Sequence, residues 1–415
     1  VYVSHLSLVD YRSYEHVDIE FAPGVNVLVG HNGQGKTNIV EAIGYLATLA
    51  SHRVAHDTAL IRVGAQRALI RSRVVRGDRA QVVELELLHG KANKARVNRG
   101  QPGRASTVLG IVKTVVFAPE DLVLVKGDPD ARRRYLDDLT VLMIPRMRSV
   151  LADYDKVVRQ RSALLKQLMR GGASHASDAT LAVWDERMVA LGSQIIGVRQ
   201  RLVAALAPHL ASGYETVSSG QSEAKMRYRP SLESFLDEPM PAVMSVEEIS
   251  VIYAEVLARA RRRELERGVC IVGPHRDDVE QTLNNLPVKG YASHGESWSY
   301  ALAMRLASYR LMTEGPDEND PASADLQDMW WTDSQEDTEP ILILDDVFAE
   351  LDVRRRRQLA DIAAQARQVI ITAAVAQDVP DQLRGRTLSV TLGAVTDMDG
   401  AEDQLSVSGE RDGDL

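Results

Sequence analysis

The sequence predicts an α/β fold: a phosphate-binding head built on a mixed sheet plus an antiparallel β-subdomain, with an α-helical domain inserted into it. Three observations carry this. The apolar run Val25-Asn26-Val27-Leu28-Val29 leads into Gly30-His31-Asn32-Gly33-Gln34-Gly35-Lys36-Thr37, after which Ile39, Ile43, Leu46 and Ala50 keep helical spacing. A second apolar run, Ile341-Leu342-Ile343-Leu344, ends in Asp345-Asp346. Between the two lie long stretches whose apolar residues recur at intervals of three and four.

The first stretch reads as strand, glycine-rich loop and helix. Polyphosphates need backbone N–H groups at close range, a helix N-terminus, an ammonium near the β- and γ-phosphates and a hydroxyl for Mg²⁺. Gly30, Gly33, Gly35, Lys36 and Thr37 supply these parts, and the nucleotide-binding segment as a whole takes in His31, Asn32, Gln34 and Asn38. Ahead of it, Leu6 and Leu8, then Val17, Ile19 and Phe21 against His16, Asp18 and Glu20, alternate with period two and read as a β-meander. The aromatic-basic loop Asp10-Tyr11-Arg12-Ser13-Tyr14 lies between those strands and would sit near the nucleotide if they pair.

Residues 68–75, 81–88 and 95–98 are separated by Arg76-Gly77-Asp78 and His89-Gly90-Lys91, which are turns at hairpin spacing. The resulting antiparallel sheet is rich in cations, among them Arg71 and Arg73, suited to nucleic-acid phosphates. Thr114–Phe117 is a further strand. From Asp128 the pattern becomes helical: Met147, Val150, Tyr154, Val157, Arg161, Leu164 and Leu168 form one stripe, and Leu181, Trp184, Met188, Leu191, Ile195, Val198 and Leu202 another, with a turn at 171–178. A third helix, Val246–Gly268, precedes an expected strand at Val269–Gly273, the segment Pro274-His275-Arg276-Asp277-Asp278 and a hairpin through Asn284-Asn285. Ser293-His294-Gly295-Glu296 then opens a helix, either as an anion site or as an N-cap.

A carboxylate at the C-terminal end of a buried parallel strand, beside a phosphate cradle, is where Mg²⁺ is held. Asp345 and Asp346 allow one acid to act on the metal and the other on the attacking water.

Charge is unevenly distributed. The chain carries a formal −9, yet residues 314–339 hold ten acids and no Lys or Arg, and 397–415 hold seven acids and one Arg, so the remainder is net positive and fits a polyanionic partner. No run reaches membrane-spanning length, which reads as a cytoplasmic protein without a membrane partner. The lone Cys270 excludes an intrachain disulfide and a Cys-based zinc site.

Taken in chain order, these pieces resemble the ABC/SMC-type ATPases of DNA repair. The carriers are Leu6-x-Leu8-x-Asp10-Tyr11-Arg12-x-Tyr14, the Walker A segment Gly30–Thr37, Val116-Phe117-Ala118-Pro119-Glu120-Asp121-Leu122 and Lys126-Gly127-x-Pro129-x-x-Arg132-Arg133. Gly273-Pro274-His275-Arg276-Asp277-Asp278, the signature Ser293-x-Gly295-Glu296 and Leu344-Asp345-Asp346-Val347-Phe348-x-Glu350-Leu351-Asp352 complete the set. The resemblance implies an ABC-type P-loop ATPase head that binds ATP and Mg²⁺, with an inserted helical arm domain. It implies head residues 1–127 and 269–395, an arm at 128–268, an acidic disordered loop at 314–339 and an acidic tail at 396–415.

By position, Lys36 and Thr37 hold phosphate and Mg²⁺, and Arg12 also meets the nucleotide. Asp345 is the Walker B metal ligand, Asp346 stands where most relatives have a catalytic Glu, and Glu120 lies near the usual Q-loop Gln. Ser293, Gly295 and Glu296 form the signature that completes a partner's site, and Asp352 is the D-loop acid. Arg71, Arg73, Arg132 and Arg133 are the expected DNA contacts. Thr372-Ala373-Ala374 has no His where transporters carry a switch histidine. The function implied is recombinational repair: an ATP-dependent homodimer, hydrolysing slowly, on double-stranded and gapped DNA, with the partners RecR and RecO. An SMC-like structural clamp is the alternative. A small-molecule kinase would need an acceptor pocket and lid in place of the signature and helical hairpin.

Overall fold

The computed structural model describes residues 1–54, 56–171, 175–218, 222–316 and 339–398. The expected acidic loop 314–339, the acidic tail 396–415 and the turn near 172–174 fall largely outside them. The chain divides into two compact units, one of residues 1–121 with 335–415 and the other of 122–334.

In the first unit, β1 (Tyr2–Tyr11) and β2 (Tyr14–Glu20) pair antiparallel, and the alternation that places Leu6, Leu8, Val17 and Ile19 in the core sets their register. β3 (Gly24–Val29) does not continue this meander, contrary to the sequence expectation. Its three central residues, Asn26, Val27 and Leu28, are all buried, as in a strand covered on both faces, and it joins a second sheet. α1 (Lys36–Thr48) follows and buries Ile39, Val40, Ile43 and Leu46. β4 (Arg67–Arg76), β5 (Arg79–Leu88), β6 (Lys94–Val97) and β7 (Gly103–Arg104) complete an antiparallel sheet in the order β2-β1-β4-β5-β6-β7. β8 (Thr114–Phe117) belongs to the second sheet.

The second unit contains α2 (Val123–Lys126), α3 (Pro129–Met143), α4 (Met147–Gly171), α5 (His175–Ser218), β9 (Ala224–Arg229), α6 (Val246–Arg267), β10 (Asp278–Leu283), β11 (Leu286–Pro287) and α7 (His294–Glu314). The long α5 packs against α4, α6 and α7. Gly213 on α5 lies against Ala303 on α7. α6 starts with a reciprocal Ser245/Glu248 capping box and stops at Gly268, whose φ of 64° suits glycine. Asn284 and Asn285, both at positive φ, make the expected β10–β11 turn.

Two expectations change here. Val269–Gly273 is not a strand, because side chains take over its backbone: Ile271 N–H donates to Glu264 and Gly273 N–H to Ser231 Oγ, while Cys270 O accepts from Arg276 Nε. The second unit also runs beyond the expected arm boundary at 268 and includes the signature helix, since α7 buries residues such as Leu302, Leu306 and Leu311 and packs on α5.

The chain returns to the first unit with β12 (Ile341–Asp345), α8 (Val353–Ala363), β13 (Gln368–Ala373), β14 (Arg386–Thr391) and β15 (Ala394–Asp397). The second sheet runs β15-β14-β3-β13-β12-β8, parallel except for the β14–β15 hairpin. Asp345 stands opposite Thr372, Thr372 opposite Leu28, and Ala373 opposite Val29. The C-terminal ends of β3, β13 and β12 therefore meet, where α/β sheets gather ligands. Among the described residues no helix is long and apolar enough to cross a membrane.

Candidate nucleotide-binding site

β3 delivers the chain to Gly30, where any Cβ would collide with the carbonyl of Val390. Gly33 and Gly35 adopt φ of 83° and 107°, which most side chains resist. A Cβ on Gly35 would also sit 2.7 Å from Tyr14 Oη. Gly35 is the N-cap of α1 and offers no side-chain cap, so the first amides of α1 face the loop as anion donors. Lys36 is buried, with Nζ donating to Gly30 O at 2.6 Å and His31 O at 3.1 Å. Burial lowers its pKa, and the charges of Asp346 and Asp345 oppose that shift. Gln34 Oε1 accepts from Leu392 N–H at 2.7 Å, fastening the loop to the β14–β15 turn, while His31, Asn32 and Gly33 are exposed.

Asp345 ends a strand in which every residue is buried. Its Oδ1 accepts from Thr37 Oγ1 at 3.1 Å and from Thr372 Oγ1 at 2.6 Å, and Asp346 N–H donates to Thr372 Oγ1 at 2.9 Å. The structure thus brings together Lys36, Thr37, Asp345 and Asp346, which the sequence separates by three hundred residues. Burial raises the pKa of Asp345; the two hydroxyls and His52 oppose this, and Glu120 reinforces it. The charges of Glu120, in the turn Pro119–Leu122, and of His52 thus bear on Asp345, and nothing in the sequence around His52 marks it. Asp346 sits at φ 51°, and its pKa is raised by burial against the opposing charge of Lys36.

The Thr37 hydroxyl and Asp345 carboxylate are hard oxygen donors within hydrogen-bond reach of each other, a set that fits Mg²⁺. Among the described residues no cluster of three His, Cys, Asp or Glu could hold a metal.

Arg12 lies beside this site but is engaged by the protein. Nε and Nη2 grip Glu41 of α1 at 2.8 and 2.6 Å, and Nη1 donates to Ala59 O at 3.0 Å. Glu41 is fully buried, so Arg12 neutralises it and ties the aromatic-basic loop to α1. Asn38 Nδ2 donates to Ser13 Oγ and its Oδ1 accepts from Arg53 Nη1. Ser13 belongs to the aromatic-basic loop expected near the nucleotide, whereas nothing in the sequence around Arg53 marks it as a site residue.

In the second unit, Ser293 is the N-cap of α7: its Oγ accepts from Glu296 N–H, and Glu296 returns a bond to Ser293 N–H. Gly295 lies in that first turn. Asp352 caps α8 through Arg355 N–H at 2.9 Å.

The expected DNA contacts separate into two kinds. Arg71 and Arg73 lie on the outer face of the antiparallel sheet, where a cavity of about 370 Å³ is lined by Asp10, Arg67, Arg71, Glu84, Lys94 and Arg96. Arg71 and Arg96 both pair with Glu84 there. Arg132 is 5% exposed, is paired with Asp278 and donates to the carbonyls of Leu124 and Gly127, so its guanidinium is engaged within the second unit rather than offered to a phosphate. Arg133 is half-buried and donates to Asp277 O and to the exposed carboxylate of Asp130.

The family model described as the RecF/RecN/SMC N terminal domain matches residues 2–384. The chain is 48% identical over 410 residues to DNA replication and repair protein RecF of Paenarthrobacter aurescens (strain TC1), covering 95% of this chain and 99% of that protein. It is 50% identical over 409 residues to DNA replication and repair protein RecF of Beutenbergia cavernae, at 95% and 99% coverage. Among solved structures, the recombination mediator protein RecF with ATP, of the RecFOR pathway, aligns at a TM-score of 0.80 and 25% identity over 96% of this chain and 97% of that one.

Proposed function

The chain belongs to the RecF/RecN/SMC N-terminal-domain family, and from that premise we propose that it is an ATPase of DNA repair and recombination, acting in the cytoplasm as the RecF member of a RecFOR-type pathway. The observation that carries the reading is the bond from Thr37 Oγ1 to Asp345 Oδ1, which joins the phosphate loop to the acid at the end of β12. Lys36 and the amides of α1 bind the phosphates. Thr37 and Asp345 would hold Mg²⁺, which would neutralise charge on the phosphoryl oxygens. Asp346, kept basic by its partial burial, accepts a proton from the attacking water. A carboxylate one methylene shorter than Glu reaches that water imperfectly, so turnover is slow.

ATP joins two copies, because the α7 N-terminus, with Ser293 and Gly295, offers donors to the γ-phosphate held by the second copy, a phosphate that ADP lacks. Glu296 serves this site as the cap that fixes Ser293, and Asp352 as the cap of α8. Double-stranded DNA, including gapped DNA, is the polyanion partner, bound through the Arg71 and Arg73 face; RecR and RecO complete the pathway. ATP-dependent retention on double-stranded DNA across a salt series tests this: retention that needs ATP and weakens steeply with salt supports it, and ATP-independent retention contradicts it.

A further inference from the structure

In the sequence Thr372 stands out only as the neighbour of a missing histidine. In the structure it is 2% exposed at the end of β13, and both capacities of its hydroxyl are engaged: it donates to Asp345 Oδ1 at 2.6 Å and accepts from Asp346 N–H at 2.9 Å. One hydroxyl therefore binds both members of the acid pair. The same Oδ1 receives Thr37 Oγ1 at 3.1 Å. An ionised carboxylate oxygen has two lone-pair sites, so two hydroxyl donors fill Oδ1 and leave Oδ2 to face a cation or its water. Rotation of the carboxylate would break both bonds at once.

We propose that Thr372 is a positioning residue of the nucleotide site, fixing which oxygen of Asp345 is presented to Mg²⁺ and anchoring the backbone of Asp346. This rests on reading Asp345 as the metal-side acid. The backbone consequence is specific. Asp346 is a non-glycine residue at φ 51° and ψ 20°, a conformation that persists only when its surroundings hold it, and the Thr372 hydroxyl is the group that holds its N–H. β13 also pairs directly with β3, which feeds Gly30, and Gly30 N–H donates to Ala373 O. Thr372 thus stands between the two halves of the site and sets their relative placement.

The test measures binding of the full chain to ATP by isothermal titration, once with Mg²⁺ and once with EDTA, so that the cation's increment is read without turnover. Thr372→Val keeps the β-branched shape in β13 and removes only the hydroxyl. It is expected to reduce the Mg²⁺ increment by about tenfold while leaving affinity in EDTA within roughly twofold, as partners of metal ligands generally do. Thr372→Ser, which retains the hydroxyl, is expected to restore most of the increment. If Thr372→Val proves too unstable to titrate, Thr372→Ala at lower temperature gives the same comparison. A wild-type increment in the Val or Ala variant overturns the positioning role. Absence of any Mg²⁺ increment in the wild-type chain would instead bring down the reading of the site, and this inference with it.

Discussion

Arg132 clasps both oxygens of Asp278, Nε to Oδ1 at 2.7 Å and Nη2 to Oδ2 at 3.1 Å, across 146 positions of sequence. The arginine side chain is 6% and the aspartate 19% exposed, so the pair sits in a medium where losing one partner leaves an uncompensated charge. Arg132→Ala is therefore expected to cost about 3–5 kcal/mol in urea unfolding. Its DNA affinity, measured where the variant is still folded, should match the wild type.

Arg71 and Arg73 lie on a different surface and carry the opposite expectation. Replacing both with Ala should leave stability nearly unchanged and lower the slope of log affinity against log salt by about one per arginine. Fluorescence anisotropy with a labelled duplex between low and physiological salt reads this directly. An unchanged slope would move the DNA surface elsewhere.

Acid sensitivity has a defined source in the second unit. His275 accepts or donates at Nδ1 to Tyr154 Oη, 2.9 Å away, with Nε2 3.4 Å from Cys270 O, and burial pushes its pKa down to about 4. In the unfolded chain the same group titrates near 6.5, so the stability it contributes is complete above 6.5 and is lost as pH falls from there to 4, by about 3 kcal/mol. Asp138, pushed up to about 6 by burial and Asp137, acts in the opposite sense as pH falls through 6. His275→Asn should therefore lose less stability than the wild type between pH 7 and 4.5, as read by urea midpoints.

Hydrolysis should depend on Asp346 in a way binding does not. Asp346→Asn is expected to retain ATP affinity and lower turnover by about a hundredfold or more. The wild-type rate should fall on acidification, with a midpoint higher than that of an ordinary aspartate because burial raises this pKa. Single-turnover assays across pH check both. A variant that turns over at the wild-type rate would remove Asp346 from the chemistry.

Much of this was legible in the sequence because it is local. Gly30–Thr37 and Ile341–Asp346 carry their chemistry in consecutive residues, and the stripes of α4 and α5 repeat over several turns. What was not legible depends on partners far along the chain. Nothing near Arg132 announces Asp278, and nothing near Thr372 announces the carboxylate it orients. Val269–Gly273 has the composition of a strand, but Glu264 and Ser231 take the amides a neighbouring strand would need. β3 left the expected meander because burial on both faces outweighed its adjacency to β2.

If ATP completes its own site by joining two copies, light scattering of the chain with ATP, with ADP and without nucleotide should show a rise from the single-chain mass of 45.7 kDa to twice that value with ATP alone. Ser293→Arg should keep ATP binding and abolish that rise, and mixing it with Lys36→Met should restore one working site per pair. A mass unchanged across all three conditions, or a Ser293→Arg chain that still doubles with ATP, would contradict it.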